Sequence, residues 1–271
     1  MPQQIALPEF IAQALDTYER LPPSEVLQVT MGVSPRAEEL GRGSPISISG
    51  KVTAFGLGVP MLVLIQAARS PETNLSPIAL AVSAPLTGDY AVQLDTLDWE
   101  LGKYAFQALA IPPAGPPGVA PLHFTTLAEP RIGAQLVMSI QGAQSPLDVV
   151  AGTTVYVDRT LYNSGNVGLI NIKTKANFQV PPAGAVYPAS PADSGLDYGF
   201  ELLPTASKAY TGLAVPTTGM PTGTYDALAW AEFNANNALL PGIKWTDTIR
   251  KSGEIKIMGA VGALTTVTWR L

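Results

Sequence analysis

Beyond residue 25 the chain shows no helical period. It is a succession of short runs in which apolar and polar residues alternate, each closed by Gly, Pro, Asn or Ser. Successive side chains of a strand point to opposite faces, so such runs bury one face only by meeting another sheet. The first series reads EVLQVTMGV (25–33), SPISISGKVTAF (44–55), VPMLVLIQAA (59–68), PIALAVSA (77–84), DYAVQLDTL (89–97) and GKYAFQALAI (102–111). A second reads LHFTTLA (122–128), IGAQLVMSIQG (132–142), GTTVYVDRTLYN (152–163), VGLINIKTKANF (167–178) and LDYGFELLP (196–204). It continues with KAYTGLAV (208–215), GTYDALAWAEF (223–233), SGEIKIMG (252–259) and ALTTVTWRL (263–271). Short strands at regular spacing predict an all-β fold of sandwiches or barrels. YNSGN (162–166) has hairpin-turn chemistry. PPAGAVYPASPADSG (181–195) reads as a long Pro/Ala loop, and TTVTWRL as a closing strand held in a sheet.

Between the two series lies IPPAGPPGVAP (111–121), with five prolines, two glycines and no charge. Proline removes the N–H that a helix interior or a central strand needs, and proline-rich chain is extended and semi-rigid. Residues 112–121 are therefore expected to be a connector holding two β-units in a fixed relation. The resulting division is 1–45 (a helix and the first strand), 46–111 (a smaller module), 112–121 (the connector) and 122–271 (a jelly-roll-like core barrel).

One amphipathic helix is predicted, over 8–21. Phe10, Ala14, Tyr18 and Leu21 fall at i, i+4, i+8 and i+11, with Ile11 and Leu15 beside them. Pro8 suits the first turn and Pro22–Pro23 stop the helix. Glu9, Asp16, Glu19 and Arg20 take the other face. Membrane-surface helices are usually Lys/Arg-rich, so this one is expected to pack on its own barrel or on a neighbouring subunit. Phe10, Ile11, Leu15 and Tyr18 are the interface candidates, joined by Trp245 and Trp269 near the C-terminus.

Composition narrows the chemistry. Charged residues are only 14%, against about 25% in ordinary soluble domains, which fits surfaces hidden against neighbours. The net charge of -5 and the lack of a basic run argue against nucleic acid. With no cysteine there is neither a disulfide framework nor a thiolate metal site. The start, MPQQIALPEF, lacks the features of a signal peptide, and the apolar runs fall short of the ~20 residues that span a bilayer. His123 is the only histidine, and neither a phosphate-binding loop nor an S-x-x-K pair appears. Carboxylates remain: LDTLDWE (94–100) gathers Asp95, Asp98 and Glu100 beside Trp99. They fit a glycosidase pair, or else turn decoration with Trp99 packed in the core. The expectation is a protein without catalytic residues, cofactor or metal, and not an enzyme.

Two resemblances add to this. The pattern GSPISISGKV…GVPMLVLIQ…LTGDYAVQLDTLDWELGKYAFQALA resembles small immunoglobulin-like modules, with G-x-Y strands at Gly88–Tyr90 and Gly102–Tyr104 forming the last hairpin. As a whole, two β-units, few charges and a leading helix resemble the large major capsid protein of membrane-containing icosahedral phages of the type infecting Thermus. That resemblance implies a capsid floor from the 122–271 barrel and a turret from the 46–111 module. It implies self-assembly of homo-oligomeric capsomers into a virion shell over an internal membrane, with a smaller capsid protein as partner. The alternative is an immunoglobulin-like adhesion or carbohydrate-binding module of a phage tail or cell surface, binding through Trp99 and nearby polar groups. A glycosidase using Asp95 and Asp98 stands third.

Overall fold

The computed structural model describes residues 27–36, 38–142 and 145–259. The helix expected at 8–21, with Phe10, Ile11, Leu15 and Tyr18, and the last strand with Trp269 lie outside them. The described residues form strands, turns and loops, all-β as the alternation predicts, and divide into two units.

Unit 1 runs to Arg131 and includes Asn236–Leu240. Its strands are β1 (Gln28–Ser34), β2 (Glu39–Gly41), β3 (Ile46–Ala54), β4 (Leu57–Gly58), β5 (Leu62–Arg69), β6 (Ser76–Val82), β7 (Asp89–Leu94), β8 (Gly102–Ile111), β9 (Gly118–Val119) and β10 (His123–Ala128). In the smaller sheet β3 is central, antiparallel to β1 and β7. The larger sheet has the order β2-β10-β8-β5-β6, with β2 parallel to β10 and β9 beside β8. Alternation dictates the core: Ile46, Ile48 and Val52 of β3 pack in one cluster with Val63 and Ile65 of β5 and Phe106 of β8. Asn237 is stitched into this unit by its amide, which donates to Arg42 O (2.9 Å) and Ser44 Oγ (3.0 Å).

Unit 2 comprises Ile132–Ala235 and the chain after Leu240. Its strands are β11 (Ala134–Ile140), β12 (Leu147–Val150), β13 (Thr154–Asn163), β14 (Leu169–Gln179), β15 (Val186–Asp193), β16 (Asp197–Leu202), β17 (Ser207–Pro216), β18 (Gly223–Ala235), β19 (Ile243–Trp245) and β20 (Ile249–Met258). The smaller sheet is β11-β13-β17 and the larger β12-β20-β18-β14-β15, with β12 parallel to β20. Strand for strand this is the order of unit 1. The jelly-roll-like form expected for 122–271 thus takes the same immunoglobulin-like sandwich order as its neighbour.

Both units share a local signature of that sandwich. Gly102 (φ +148°) and Gly223 (φ +149°) open β8 and β18 in backbone conformations that disfavour a side chain. Two residues on, the Tyr104 hydroxyl donates to Glu100 O (2.9 Å) and the Tyr225 hydroxyl to Pro221 O (2.8 Å). These are tyrosine corners, pinning the entry of the strand to the loop before it.

Five expectations change. The division between units falls at Arg131/Ile132, so 112–121 is not a connector. It is a loop within unit 1 whose Gly118–Val119 pairs with β8, because β10 returns to the same sheet. The first strand belongs with the 46–111 module, since β1 pairs with β3 along its length. Tyr90 and Tyr104 do not share a hairpin: β7 joins the smaller sheet and β8 the larger. YNSGN likewise carries the chain from β13 across to β14 in the other sheet. There the Asn163 amide donates to Val167 O (2.8 Å) and Leu202 O (2.9 Å) and its carbonyl accepts from Gly165 N (3.0 Å). Finally, 181–195 contains β15 despite Pro188 and Pro191. β15 ends its sheet, where a missing donor costs little.

Candidate functional site

The residues singled out from sequence are mostly structural. Asp95 Oδ1 accepts from Leu97 N at 2.9 Å, fixing a turn. Trp99 is half-buried, its ring 5.0 Å from Tyr104 and 6.0 Å from Phe106. Glu100 pairs with Arg69, whose guanidinium also holds Leu101 O at 2.8 and 3.0 Å. LDTLDWE is therefore a turn that seats an indole on the first core and leaves Asp95, Asp98 and Glu100 exposed. His123 stands opposite Phe106 in the β10–β8 ladder. Among the described residues no group of three His, Asp or Glu side chains is placed to hold a metal.

Trp245 leads elsewhere. It lies on β19, 62% exposed, directly opposite Glu232 of β18. Along β18 the small Ala227, Ala229 and Ala231 face the core, so the alternate residues Trp230 and Glu232 face outward. The same logic sends Lys173 and Lys175 of β14 outward while Thr174 and Ala176 are buried. Register then sets two rows on the outer face of the larger sheet. One is Trp245, Glu232, Lys173; the next is Trp230, Lys175, Asp193. Diagonal ion pairs tie the rows together, Lys175 Nζ to Glu232 Oε1 at 2.5 Å and Lys173 Nζ to Asp193 Oδ2 at 2.8 Å. Tyr198 of β16, 76% exposed, lies near enough to Lys173 to act on its charge.

Glu232 is the hub. Burial pushes its carboxyl up, but the Lys175 ammonium and hydrogen bonding from Trp245 and Trp230 outweigh this and hold it below the ordinary value. Trp245 stands opposite Glu232 in the ladder and Trp230 two residues before it on the same face, so the two indoles flank one carboxylate. The Asp193 carboxyl is also held low, first by Lys173 and then by the Gly195 N–H, and Lys173 is raised by the same bond to Asp193. These groups sit in one open, half-exposed face, charged and mutually paired at neutral pH. Ring faces, carboxylates and ammonium groups presented together on one open face can hold a ligand. Flat apolar ring faces edged by donors and acceptors suit a ligand of the same mixed character.

Of these residues only Trp245 is an interface candidate in the sequence. Trp230 and Glu232 were findable: GTYDALAWAEF alternates Ala with larger residues, which places both on the face opposite the alanines. Trp245 in a three-residue strand had no periodic signal at all.

No protein-family model matches the sequence, and no curated protein matches it. Among solved structures, a tetra-tandem repeat in the extending region of a large adhesion protein aligns at 16% identity and TM-score 0.31, over 84% of this chain and 50% of that one. Fibronectin(III)-like modules of Clostridium thermocellum CbhA align at 15% identity and TM-score 0.33, over 89% of this chain and all of that one. The chain spans half the length of the first. Likenesses this loose carry no functional weight.

Proposed function

We propose that this chain is a non-catalytic binding protein made of two immunoglobulin-like sandwiches, and that the outer face of the second binds carbohydrate. The observation that carries this reading is the placement of Trp230 and Trp245 on either side of Glu232 on one open sheet face. Two indole faces offer the apolar platform that a sugar ring stacks on. Glu232, Lys173, Lys175 and Asp193 surround them with acceptors and donors for hydroxyl groups. This moves the carbohydrate-binding alternative from Trp99, which is occupied in the first core, to the second unit.

The test is intrinsic tryptophan fluorescence during titration with a panel of oligosaccharides, backed by electrophoresis through immobilised polysaccharide. A sugar that binds should lose roughly tenfold or more in affinity on Trp245→Ala, an expected loss of about 1.4 kcal/mol or more. Binding unchanged by that substitution, or no binding across the panel, removes the reading. The capsid reading makes the opposite prediction for assembly. Electron microscopy of the purified chain should show dispersed small particles; regular shells or sheets would reinstate a capsid role.

A further inference from the structure

Counted from the tyrosine corners, the outer faces of the two larger sheets correspond place by place. Leu109 comes five residues after Tyr104 and Trp230 five after Tyr225, with Ile111 and Glu232 two places further on. Register extends the match to the neighbouring strands. Leu64 stands opposite Leu109 as Lys175 stands opposite Trp230, and Leu62 opposite Ile111 as Lys173 opposite Glu232. Leu80 stands beside Leu64 as Asp193 stands beside Lys175. Every charged group of the paired cluster in unit 2 therefore has a leucine or isoleucine in its place in unit 1.

The apolar character runs beyond these places. Val82 completes the Leu62–Ile111 row and Val119 the Leu64–Leu109 row. Pro77–Gln66–Gln107 and Ala68–Ala105–Phe124 continue the face along the strands, and none of the four rows holds a charge. Leu80, Ile111, Val119 and Phe124 are exposed, and Leu62, Leu64 and Leu109 half-buried. Where Phe124 ends the face, Glu72 and Lys103 line the same shallow hollow, the Lys103 ammonium 5.0 Å from the ring centre. An uncharged centre with a charged rim is the anatomy of a protein–protein interface.

Charge and area say what covers it. A partner that brought charge to these rows would bury it unpaired, because no side chain there can answer it. The partner's surface must itself be flat and uncharged, and a second copy of this chain presents such a surface by construction. Strands about 4.8 Å apart and rows about 6.8 Å apart give four strands by four rows an extent of roughly 500 Å². Two copies laid face to face would bury about 1,000 Å², the size at which specific interfaces begin. Sheets stacked about 10 Å apart are also the contact that each sandwich already makes inside itself. One patch pairing with itself closes as a two-fold dimer.

We infer that this chain pairs with a second copy through the outer face of the larger sheet of unit 1, with Leu64 and Leu109 at the centre of the contact. The inference does not depend on carbohydrate binding by unit 2. Sedimentation equilibrium of the full chain should give twice the mass of one copy. Leu64→Lys should raise the dissociation constant roughly tenfold or more. Its far-UV circular dichroism should be unchanged, since Lys175 holds the same place in unit 2. Leu80→Lys, on an edge strand and 57% exposed, probes the same face with little demand on folding. Tyr156→Lys, exposed on the smaller sheet of unit 2, should leave the dimer intact. A wild-type chain that stays monomeric at every concentration overturns the inference, and its attachment to phosphatidylcholine vesicles would then assign the face to lipid. A dimer that survives both leucine substitutions, or that Tyr156→Lys disrupts equally, overturns it as well.

Discussion

The two sandwiches solve one packing problem in opposite ways. In the smaller sheet of each, a tyrosine on the last strand stands opposite the middle of the central one: Tyr90 opposite Gly50, Tyr210 opposite Arg159. Gly50 leaves space, and the Tyr90 hydroxyl reaches across it to donate to Thr30 O at 2.7 Å. In unit 2 a β-bulge between Val157 and Arg159 puts a buried guanidinium in that place. It donates to Thr174 Oγ1 (3.1 and 2.9 Å) and Val157 O (2.6 Å), and burial pulls its pKa down to about 10. Tyr210 instead donates to Asp197 Oδ2 at 3.1 Å. Strand order leaves the filling open; what it demands is occupied volume and satisfied donors.

The largest effect should come from removing the gap in unit 1. A Cβ on Gly50 would lie 1.9 Å from Thr30 O and 2.6 Å from the Tyr90 hydroxyl. Gly50→Ala should cost ~3 kcal/mol or more in unit 1, with hydrogen exchange accelerated in β3 but not in β14. Equal protection loss in both would mean that the units do not unfold separately.

Next comes the buried guanidinium. Thr174→Val strips its side-chain acceptor and should cost about 2 kcal/mol in urea unfolding. Arg159→Met removes charge and partner demand together and should cost less than about 1 kcal/mol. If the methionine variant is the weaker of the two, the arginine is needed for more than filling space.

Tyr90→Phe should lose about 1 kcal/mol at pH 8, and the loss should vanish in alkali. Burial pushes the Tyr90 hydroxyl up to about 12 from 10.0. Its neutral form is therefore the native one, and its stabilisation is complete below pH 10 and lost as pH rises toward 12. Urea melts at pH 8, 10 and 11 should show the two proteins converging. The smallest effect belongs to Glu232, whose carboxyl lies below its ordinary value of 4.5. Its contribution is present above that pH and fades as pH falls below it. The group is partly exposed, so Glu232→Gln should flatten the acid limb of the stability curve by no more than about 0.5 kcal/mol.

Much of this was legible in the residues. Alternation located the long strands, and the runs around Ile46–Val52 and Ala227–Phe233 name their own buried faces. The repeated G-x-Y was visible too, but the informative pair is Gly102–Tyr104 with Gly223–Tyr225, not Gly88–Tyr90. Each member starts the equivalent strand of its own sandwich, a likeness that emerges only once the strands are paired. Trp245 was marked from sequence, yet its meaning depends on Glu232 lying opposite it in another strand.

Sequence alone determined the β class, the inward and outward residues of the strands with a clear alternation, and the lack of cysteine chemistry. Those follow from side-chain period and composition, which are local. Tertiary structure alone decided where each strand goes. A turn such as YNSGN or LTGDY specifies only a few backbone angles, and the same angles serve a strand that folds back into its own sheet or one that crosses to the other. The choice falls to the apolar faces, which must meet across about 10 Å of core, and those faces come from residues far apart in the chain. For the same reason 112–121 closes a loop within one sandwich: His123–Leu127 find their ladder on Gly102–Phe106, and no local property of the prolines encodes that pairing.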